Sequence, residues 1–255
     1  MYEIDQDKIH FDKAIYDKGC TKIYPYGAED EHKVVKRKSC ANKNVKEKFE
    51  NEFTLGGFRD DENIVSIEAY LAKTTEIPKG GYNVYFLMPR MEGNLFELLC
   101  RYRQKRQHIS LNKLLQYFSD LASGVRSLHL ARIAHRNINL FNILFDKQNK
   151  LKLSDFSSAV SLDESNEAKE KDYYCKQDIW SLGVVFLEIC LLNRLELDPN
   201  ELENTIEKNL LWAQKMYNET ISNLLKGMLA IDPVKRKSAK EILEEIKKIR
   251  VTFVP

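Results

Sequence analysis

The sequence predicts an α+β protein in which a small β-rich N-terminal part with one helix precedes a larger helical part. Three observations lead to this class. The 255 residues are 43% hydrophobic, as in a globular chain that can bury a sizeable core. The first third alternates short β-prone stretches with turns, and from Leu95 onward apolar residues recur at helical spacing. No internal repeat or Pro- or Ser-rich linker divides residues 1–255, so one domain is expected.

The β-rich part contains three strand candidates, at residues 22–26, 32–36 and 84–88. Between the second and third of these, a helix is predicted from about Asn44 to Leu55. Its apolar face is indicated by Phe49 and Phe53, which lie one turn apart. The Gly56-Gly57 pair should end this helix, because glycine is favoured just beyond helix C-termini.

The helical part begins with a long amphipathic helix. Its apolar stripe has spacings of four and three and consists of Leu114, Phe118, Leu121, Val125 and Leu128. Residues 179–192 are apolar on most faces, which predicts a buried helix. Two further helices are predicted near residues 221–229 and 239–249.

Charge and cysteine content exclude several classes of protein. The 40 basic residues are offset by 38 acidic ones, so neither a nucleic-acid partner nor a membrane surface is expected. The basic run at 101–108 is interpreted as a solvated linker, with contact to RNA or an acidic partner as the alternative. Five scattered cysteines without CxxC spacing, a polar N-terminus and no apolar run near the roughly 20 residues of a membrane span predict a soluble cytoplasmic or nuclear protein.

The strongest functional signal lies directly after the long helix. The segment His135-Arg-Asn-Ile-Asn-Leu-Phe-Asn-Ile-Leu-Phe is followed by a turn-rich spacer and by Leu151-Lys-Leu-Ser-Asp-Phe-Ser, which predicts a hairpin. This arrangement resembles the catalytic loop and the metal-binding turn of the eukaryotic protein kinases. Two later segments are similar to the buried central helix and the C-terminal signature of that family, those beginning at Asp178 and Met228.

The resemblance covers nearly the whole chain and implies a two-lobed protein-kinase fold. The implied N-lobe is 1–87, the hinge 88–92 and the C-lobe 93–255. The helix that begins at Asp178 is closer in style to Ser/Thr kinases than to Tyr kinases. ATP and Mg²⁺ are the cofactors that such a resemblance implies.

Several residues match the nucleotide-binding positions of the family. Lys36 matches the lysine that holds the α- and β-phosphates, with a surface lysine of the basic run as the alternative. Glu52 matches its ion-pair partner, although Glu47 and Glu50 lie nearby. The resemblance also implies an adenine-contacting set, in which Val34 replaces a smaller residue: Ile15, Ile23, Val34, Met88 and Leu144.

The implied magnesium ligands are Asn142 and Asp155, since amide and carboxylate oxygens suit this cation. A turn or capping role is the alternative for both. Asn137, by contrast, stands where the family has its catalytic Asp, and an amide cannot accept the proton of a substrate hydroxyl. Asn139 replaces the lysine that neutralises the transferring phosphate.

Other positions also depart from the family. Tyr16, Lys18 and Thr21 stand in place of the three glycines of the phosphate-binding loop. Ser157 replaces the glycine after Asp155-Phe156. Gly56 falls where the family has an apolar residue, which predicts weakened packing around Phe156.

The segment between Ser157 and Asp178 is much shorter than in the family, so most of the peptide-docking platform should be missing. Glu167 is the candidate for the carboxylate that pairs with Arg236, with Glu164 and Glu170 next. Together these departures predict a catalytically impaired pseudokinase, a regulatory or scaffold module with a protein partner and a retained capacity to bind ATP. A weakly active or unconventional Ser/Thr kinase is the alternative, because Lys36, Glu52, Asn142 and Asp155 are retained.

Overall fold

A computed structural model of the chain describes residues 4–28, 32–41, 43–57, 61–75, 81–162 and 168–253. The chain forms two compact units. The first comprises Met1–Met91 with Ser154–Ala159, and the second comprises Glu92–Leu153 with Val160–Pro255. The predicted α+β class is confirmed, since the first unit is built on a sheet with one long helix and the second is mainly helical.

Within the described part of the first unit, five antiparallel strands form one sheet in the order β1-β2-β3-β5-β4. The strands are β1 Tyr16–Lys18, β2 Thr21–Tyr26, β3 Lys33–Cys40, β4 Ala69–Thr75 and β5 Gly81–Pro89. The three predicted strands are confirmed as parts of β2, β3 and β5. Sequence reasoning missed both edge strands of this sheet. The side chains of β1 are exposed and those of β4 are mostly half-buried, so neither strand gives a strong apolar pattern.

Helix α1, Lys43–Gly56, covers one face of this sheet and ends at the predicted glycine. The core beneath it consists of Cys40, Phe49, Ile67, Val84 and Phe86. The opposite face of the sheet packs on Ile4 and Ile9, so the N-terminal segment contributes to a second apolar core on that face. Because side chains alternate along a strand, Val34, Lys36, Lys38 and Cys40 of β3 share one face. Two lysines therefore lie beside an apolar core.

The described part of the second unit contains a two-stranded sheet, β10-β7, a three-stranded sheet, β6-β8-β9, and six α-helices. Its strands are β6 Gly93–Asn94, β7 Ile133–Ala134, β8 Ile143–Phe145, β9 Leu151–Leu153 and β10 Val160–Ser161. Its helices are α2 Leu95–Gln104, α3 Leu111–Leu130, α4 Ala168–Leu191, α5 Leu202–Met216, α6 Glu219–Met228 and α7 Ala239–Phe253. The predicted hairpin is confirmed, because β8 and β9 pair antiparallel on either side of the turn.

The predicted stripe of α3 is buried throughout, and it packs against α4, α7 and β9. Phe118 of α3 stacks on Phe186 of α4 with 3.8 Å between ring centroids. Polar residues at the start of three helices accept main-chain hydrogen bonds as N-caps: Asn94 for α2, Ser110 for α3 and Asn218 for α6. The positions of these helices thus follow from both their apolar stripes and their caps.

Two sequence interpretations need correction. The helix predicted at 179–192 begins eleven residues earlier, at Ala168. The basic run at 101–108 is not simply a linker, since its first four residues are the last turn of α2. Of the helices in the described ranges, none has both the length and the apolar character needed to cross a bilayer.

Candidate functional site

Four charged side chains of the first unit form a compact cluster on the α1 face of the sheet, hereafter the lysine–carboxylate cluster. β3 contributes Lys36 and Lys38, α1 contributes Glu52, and the 154–159 segment contributes Asp155. One oxygen of Glu52 lies 3.0 Å from Lys36 Nζ, and the other lies 2.7 Å from Lys38 Nζ. Asp155 Oδ1 lies 3.0 Å from Lys38 Nζ, whereas its Oδ2 lies 3.8 Å from Lys36 Nζ.

The cluster is largely removed from water. The side chains of Glu52, Lys38 and Lys36 are 2%, 7% and 13% exposed. Burial by itself would lower the pKa of Lys36, but the charges of Glu52 and Asp155 outweigh it and raise that pKa above its usual value. The ammonium of Lys38 also lies 5.0 Å from the centre of the Phe49 ring, a cation–π contact. Lys36 is therefore held in the charged form by this cluster.

Asp155 is bound on several sides by groups of this chain. Burial alone would raise the pKa of its carboxyl, but Lys36, Lys38 and the Ser157 hydroxyl hold the pKa well below its usual value. Ser157 Oγ donates to Asp155 Oδ1 at 2.7 Å, the same oxygen that Lys38 contacts. Asp155 itself has a φ of 64°, a left-handed conformation that Asp tolerates better than most residues. The serine that replaces the family glycine thus fixes this carboxylate.

These contacts do not fit a magnesium site at Asp155. A divalent cation at this carboxylate would have to approach two ammonium groups, and Oδ1 already accepts hydrogen bonds from Lys38 and Ser157. In the described part of the chain, no group of three or more His, Cys, Asp or Glu residues is arranged to hold a metal ion. The other implied ligand, Asn142, lies in the second unit, where its amide nitrogen donates to Asn137 O at 3.0 Å.

Phe156 occupies the space that the missing side chain at Gly56 leaves. The Phe156 ring is 1% exposed, and a Cβ built on Gly56 would lie 2.3 Å from one of its ring carbons. A side chain at position 56 would therefore displace the ring. In the first unit, the Phe156 ring therefore packs directly against the α1 backbone at Gly56.

The adenine-contacting residues implied by the sequence differ in burial. Val34 and Met88 are register partners on β3 and β5, and they are 4% and 6% exposed. Ile23 is half-buried on β2, and Ile15, just before β1, is 47% exposed. Leu144 belongs to the second unit, where it is half-buried on β8.

The residues that replace the phosphate-loop glycines lie in the β1–β2 hairpin. Tyr16 and Lys18 are exposed on β1, and Thr21 begins β2 opposite Lys18. Gly19 occupies the hairpin turn with a φ of 57°, so the one retained glycine serves the turn. Three side chains consequently occupy positions where the family has bare backbone.

The loop after β7 carries three asparagines that hydrogen-bond to one another. The side-chain nitrogen of Asn139 donates to Asn137 Oδ1 at 3.0 Å and to Asn137 O at 3.1 Å. Asn142 Nδ2 donates to the same Asn137 O. The side-chain oxygen of Asn139 in turn accepts from the main-chain nitrogens of Phe141 and Asn142. This asparagine network consists of neutral groups at both positions where the family has charged ones.

Asp178 of α4 anchors this loop. It is 1% exposed, and its two oxygens accept from the main-chain nitrogens of His135 and Arg136, both at 2.8 Å. His129 Nε2 lies 3.0 Å from the same carboxylate. Burial alone would lower the pKa of His129, but hydrogen bonds to Asp178 and Cys175 raise it to about 9. Sequence reasoning gave Asp178 no role, although a buried acid on an otherwise apolar helix is a usable signal.

Arg236 contacts main-chain oxygens and an aromatic ring in the part of the chain that the structure describes. Arg236 donates to the main-chain oxygens of Ala230, Lys176 and Ile231, and its guanidinium lies 4.7 Å from the centre of the Trp180 ring. Its predicted partner Glu167, and the alternative Glu164, lie outside the described residues. Residues 168–177 form the first turns of α4, so much of the short segment before Asp178 is helical.

Comparison with known proteins agrees with the motifs and the fold. The model of the protein kinase domain family matches residues 23–246. The chain belongs to the protein kinase family. The predicted two-lobed α+β kinase fold is thereby confirmed.

Similar proteins include Ser/Thr kinases of several organisms. The serine/threonine-protein kinase Nek5 of Mus musculus is 24% identical over 93% of this chain and 40% of that protein. Nek9 of Xenopus laevis is 30% identical over 60% of this chain and 18% of its own length. Cyclin-dependent kinase 11.2 of Caenorhabditis elegans is 22% identical over 72% of this chain and 35% of its own length. The chain thus matches 40% or less of the length of each of these relatives. Two of the three are named serine/threonine-protein kinases, which supports the predicted similarity to Ser/Thr kinases.

Proposed function

We propose that this kinase domain is a pseudokinase, a regulatory or scaffold module that binds a protein partner and does not transfer phosphate efficiently. The observation that carries the proposal is the hydrogen bond from Asn139 Nδ2 to Asn137 Oδ1, at 3.0 Å. At the position where the family has its catalytic base, the side chain is an amide whose oxygen already has a donor.

Two transition-state contributions are absent from this loop. An amide cannot take the proton of a substrate hydroxyl, and general-base assistance is commonly worth about 10²–10⁴ in rate. Asn139 is neutral and donates to Asn137, so it brings no positive charge to a transferring phosphoryl group. Both losses lie in one loop that Asp178 holds by its backbone. Catalysis is thus reduced while the loop keeps an ordered shape.

The start of α4 is a second argument for the proposal. Helix α4 begins at Ala168, ten residues before Asp178, so residues 168–177 are helical. In the family, this part of the chain forms the platform on which a peptide substrate docks, and the sequence predicts that most of this platform is missing here. Because this segment is helical, it supports the proposal that the protein does not hold a peptide in line for phosphate transfer and binds its partners by other surfaces.

ATP is proposed as a bound ligand of this module. Lys36 keeps its ion pair with Glu52 at 3.0 Å, and Val34 and Met88 remain apolar. When bound, ATP would add contacts and stabilise the folded domain without undergoing reaction. A cytoplasmic or nuclear location forms part of this proposal, in keeping with five scattered cysteines.

A weakly active Ser/Thr kinase is the second candidate. It is favoured by the retained Lys36–Glu52 pair, since this pair positions phosphates in active members of the family. In that case the loss would lie mainly at the base, and restoring the base would restore the rate.

Phosphate transfer to generic protein substrates separates the two candidates. The proteins to compare are the wild type, Asn137→Asp and Asn137→Asp/Asn139→Lys, with Asp155→Ala as the background control. A pseudokinase should remain near background in all of them, because parts that act as a unit are not restored one at a time. Wild-type turnover that Asp155→Ala abolishes would contradict the proposal. Recovery by about 10² or more in Asn137→Asp alone would favour the weakly active kinase.

A further inference from the structure

The lysine–carboxylate cluster contains one positive charge more than the family pattern requires. The sequence resemblance assigns one lysine, one glutamate and one aspartate to this place, and these carry a net charge of −1. Lys38 adds a second ammonium group, so that Lys36 and Lys38 balance Glu52 and Asp155. The cluster is therefore electrically neutral with groups of this chain alone.

Lys38 is located where an apolar residue would otherwise fit. It shares the α1 face of the sheet with Cys40, and its register partner on β5 is Val84, which is fully buried. Burying an ammonium group beside this core is unfavourable unless charged or aromatic partners compensate it. Glu52 at 2.7 Å, Asp155 at 3.0 Å and the Phe49 ring at 5.0 Å provide that compensation. These contacts fix the ammonium beside the carboxylate of Asp155.

We infer that Lys38 supplies at Asp155 the positive charge that a divalent cation would otherwise supply. Asp155 is then an ion-pair partner and not a metal ligand, and the domain binds a nucleoside triphosphate without requiring magnesium. The part of this inference that concerns the nucleotide rests on the proposed function, whereas the part that concerns Asp155 does not.

The physical reason is competition for the same oxygen atoms. Oδ1 of Asp155 accepts from Lys38 and from the Ser157 hydroxyl, and Oδ2 lies 3.8 Å from Lys36. A divalent cation at Oδ1 would have to displace an ammonium that has a second carboxylate partner in Glu52, and one at Oδ2 would lie close to the ammonium of Lys36. The Asp155 side chain is 24% exposed, and like charges repel more strongly in such a partly buried cluster than in water, so the neutral cluster disfavours a further cation. Removing the charge of Lys38 should open the site to metal.

Manganese binding to the free protein tests the assignment of Asp155 without any nucleotide. Free Mn²⁺ is measured by electron paramagnetic resonance in titrations of the wild type, Asp155→Asn, Lys38→Met and Lys38→Met/Asp155→Asn. The wild type and Asp155→Asn should bind Mn²⁺ equally weakly. Lys38→Met should bind about tenfold or more tightly, because one like charge has been removed beside the carboxylate. Asp155→Asn in the Lys38→Met background should abolish that gain.

The matched control is Lys33→Met. It removes a lysine from the same strand, but Lys33 pairs with Glu68 at 2.7 Å, outside the cluster. Its Mn²⁺ affinity should equal that of the wild type, and Lys38→Arg, which keeps the charge, should do the same. A comparable gain in Lys33→Met would show that net charge alone is responsible, and would overturn the inference.

Thermal unfolding with ATP tests the part that concerns the nucleotide. The midpoint of the wild type should rise equally with ATP plus EDTA and with ATP plus Mg²⁺, whereas Lys38→Met should need Mg²⁺ for the full rise. A magnesium-dependent rise in the wild type that Asp155→Asn removes would overturn the inference. The comparison of the wild type with Asp155→Asn leaves Lys38 intact. It therefore tests whether ATP binding depends on magnesium at Asp155 even if Lys38→Met does not fold. Absence of any ATP effect would refute nucleotide binding, and the Mn²⁺ titrations would still decide the role of Asp155.

Discussion

The lysine–carboxylate cluster of the first unit and the asparagine network of the second depart from the family in opposite ways, the first by a gain and the second by a loss of charged groups. The cluster has gained a buried cation, Lys38, so that two lysines balance two carboxylates. The asparagine network has lost two charges relative to the family, since Asn137 and Asn139 are neutral and bond to each other. One region is held by ion pairs and the other by hydrogen bonds between amides.

This difference indicates how a kinase fold can keep its local structure without its catalytic ligands. In a functioning kinase, magnesium, nucleotide and substrate complete the charges around these residues. Here each region satisfies its polar groups with its own side chains. Removing one member of the buried ion pairs should lower the unfolding free energy strongly, whereas removing one of the partly exposed amides should lower it only weakly.

The largest expected effect is at Glu52. Glu52→Gln would leave two buried ammonium groups beside the single carboxylate of Asp155, which should cost about 3–5 kcal/mol of unfolding free energy. The measurement is urea denaturation followed by circular dichroism. The control is Glu50→Gln on the same helix, whose side chain is 39% exposed and pairs with Lys46 at 2.7 Å.

Glu50→Gln should cost less than about 1 kcal/mol, since partly exposed ion pairs contribute little and the glutamine oxygen can still accept from the Tyr70 hydroxyl, which lies 3.2 Å from Glu50 Oε1. Equal losses in the two variants would mean that the cluster is no stronger than a surface pair. That result would contradict the claim that the buried ion pairs of the first unit contribute more to stability than the amide hydrogen bonds of the second.

A smaller effect is expected from pH at the anchor of the second unit. The pKa of His129 is raised to about 9 from its ordinary value of 6.5, so the folded state holds a proton that the unfolded state releases. The associated stability is complete below pH 6.5 and is lost as pH rises towards 9. The loss is about 3 kcal/mol, from a pKa difference of about 2.5.

Unfolding free energies between pH 6 and 9.5 would measure this loss. His129→Gln should flatten the profile over that window, whereas His108→Gln, at an exposed position, should not change it. An unchanged slope in His129→Gln would show that the proton is held elsewhere in the chain.

The smallest expected effect is in the asparagine network. Asn139→Ala removes the donor to Asn137 Oδ1 and the acceptor for two main-chain nitrogens, all in a half-buried loop. We expect a loss of about 1 kcal/mol, because water can replace part of these contacts. Urea denaturation beside Glu52→Gln gives the comparison directly. A loss as large as that of Glu52→Gln would show that the neutral network is as important to stability as the ion pairs.

The sequence by itself determined the family, the α+β class and most of the secondary structure. These features depend on local patterns, such as the apolar stripe of α3, the glycines that end α1 and the turn between β8 and β9. The replacements at Asn137 and Asn139 were also visible without a structure, because a motif fixes their register. Element boundaries were less accessible, since the polar first turns of α4 carry no apolar stripe.

Only the tertiary structure decided what surrounds each charged group. In the sequence, Lys38 belongs to a basic run beside Lys36, and nothing local distinguishes a buried lysine from a solvated one. Its burial results from strand alternation together with a helix and a distant segment, which bring Glu52 and Asp155 to within 3.0 Å of its ammonium. Asp178 is bound to main-chain groups more than 40 residues away for the same reason. Electrostatic partners are set by distance in space, and for residues this far apart in sequence that distance exists only once the chain has folded.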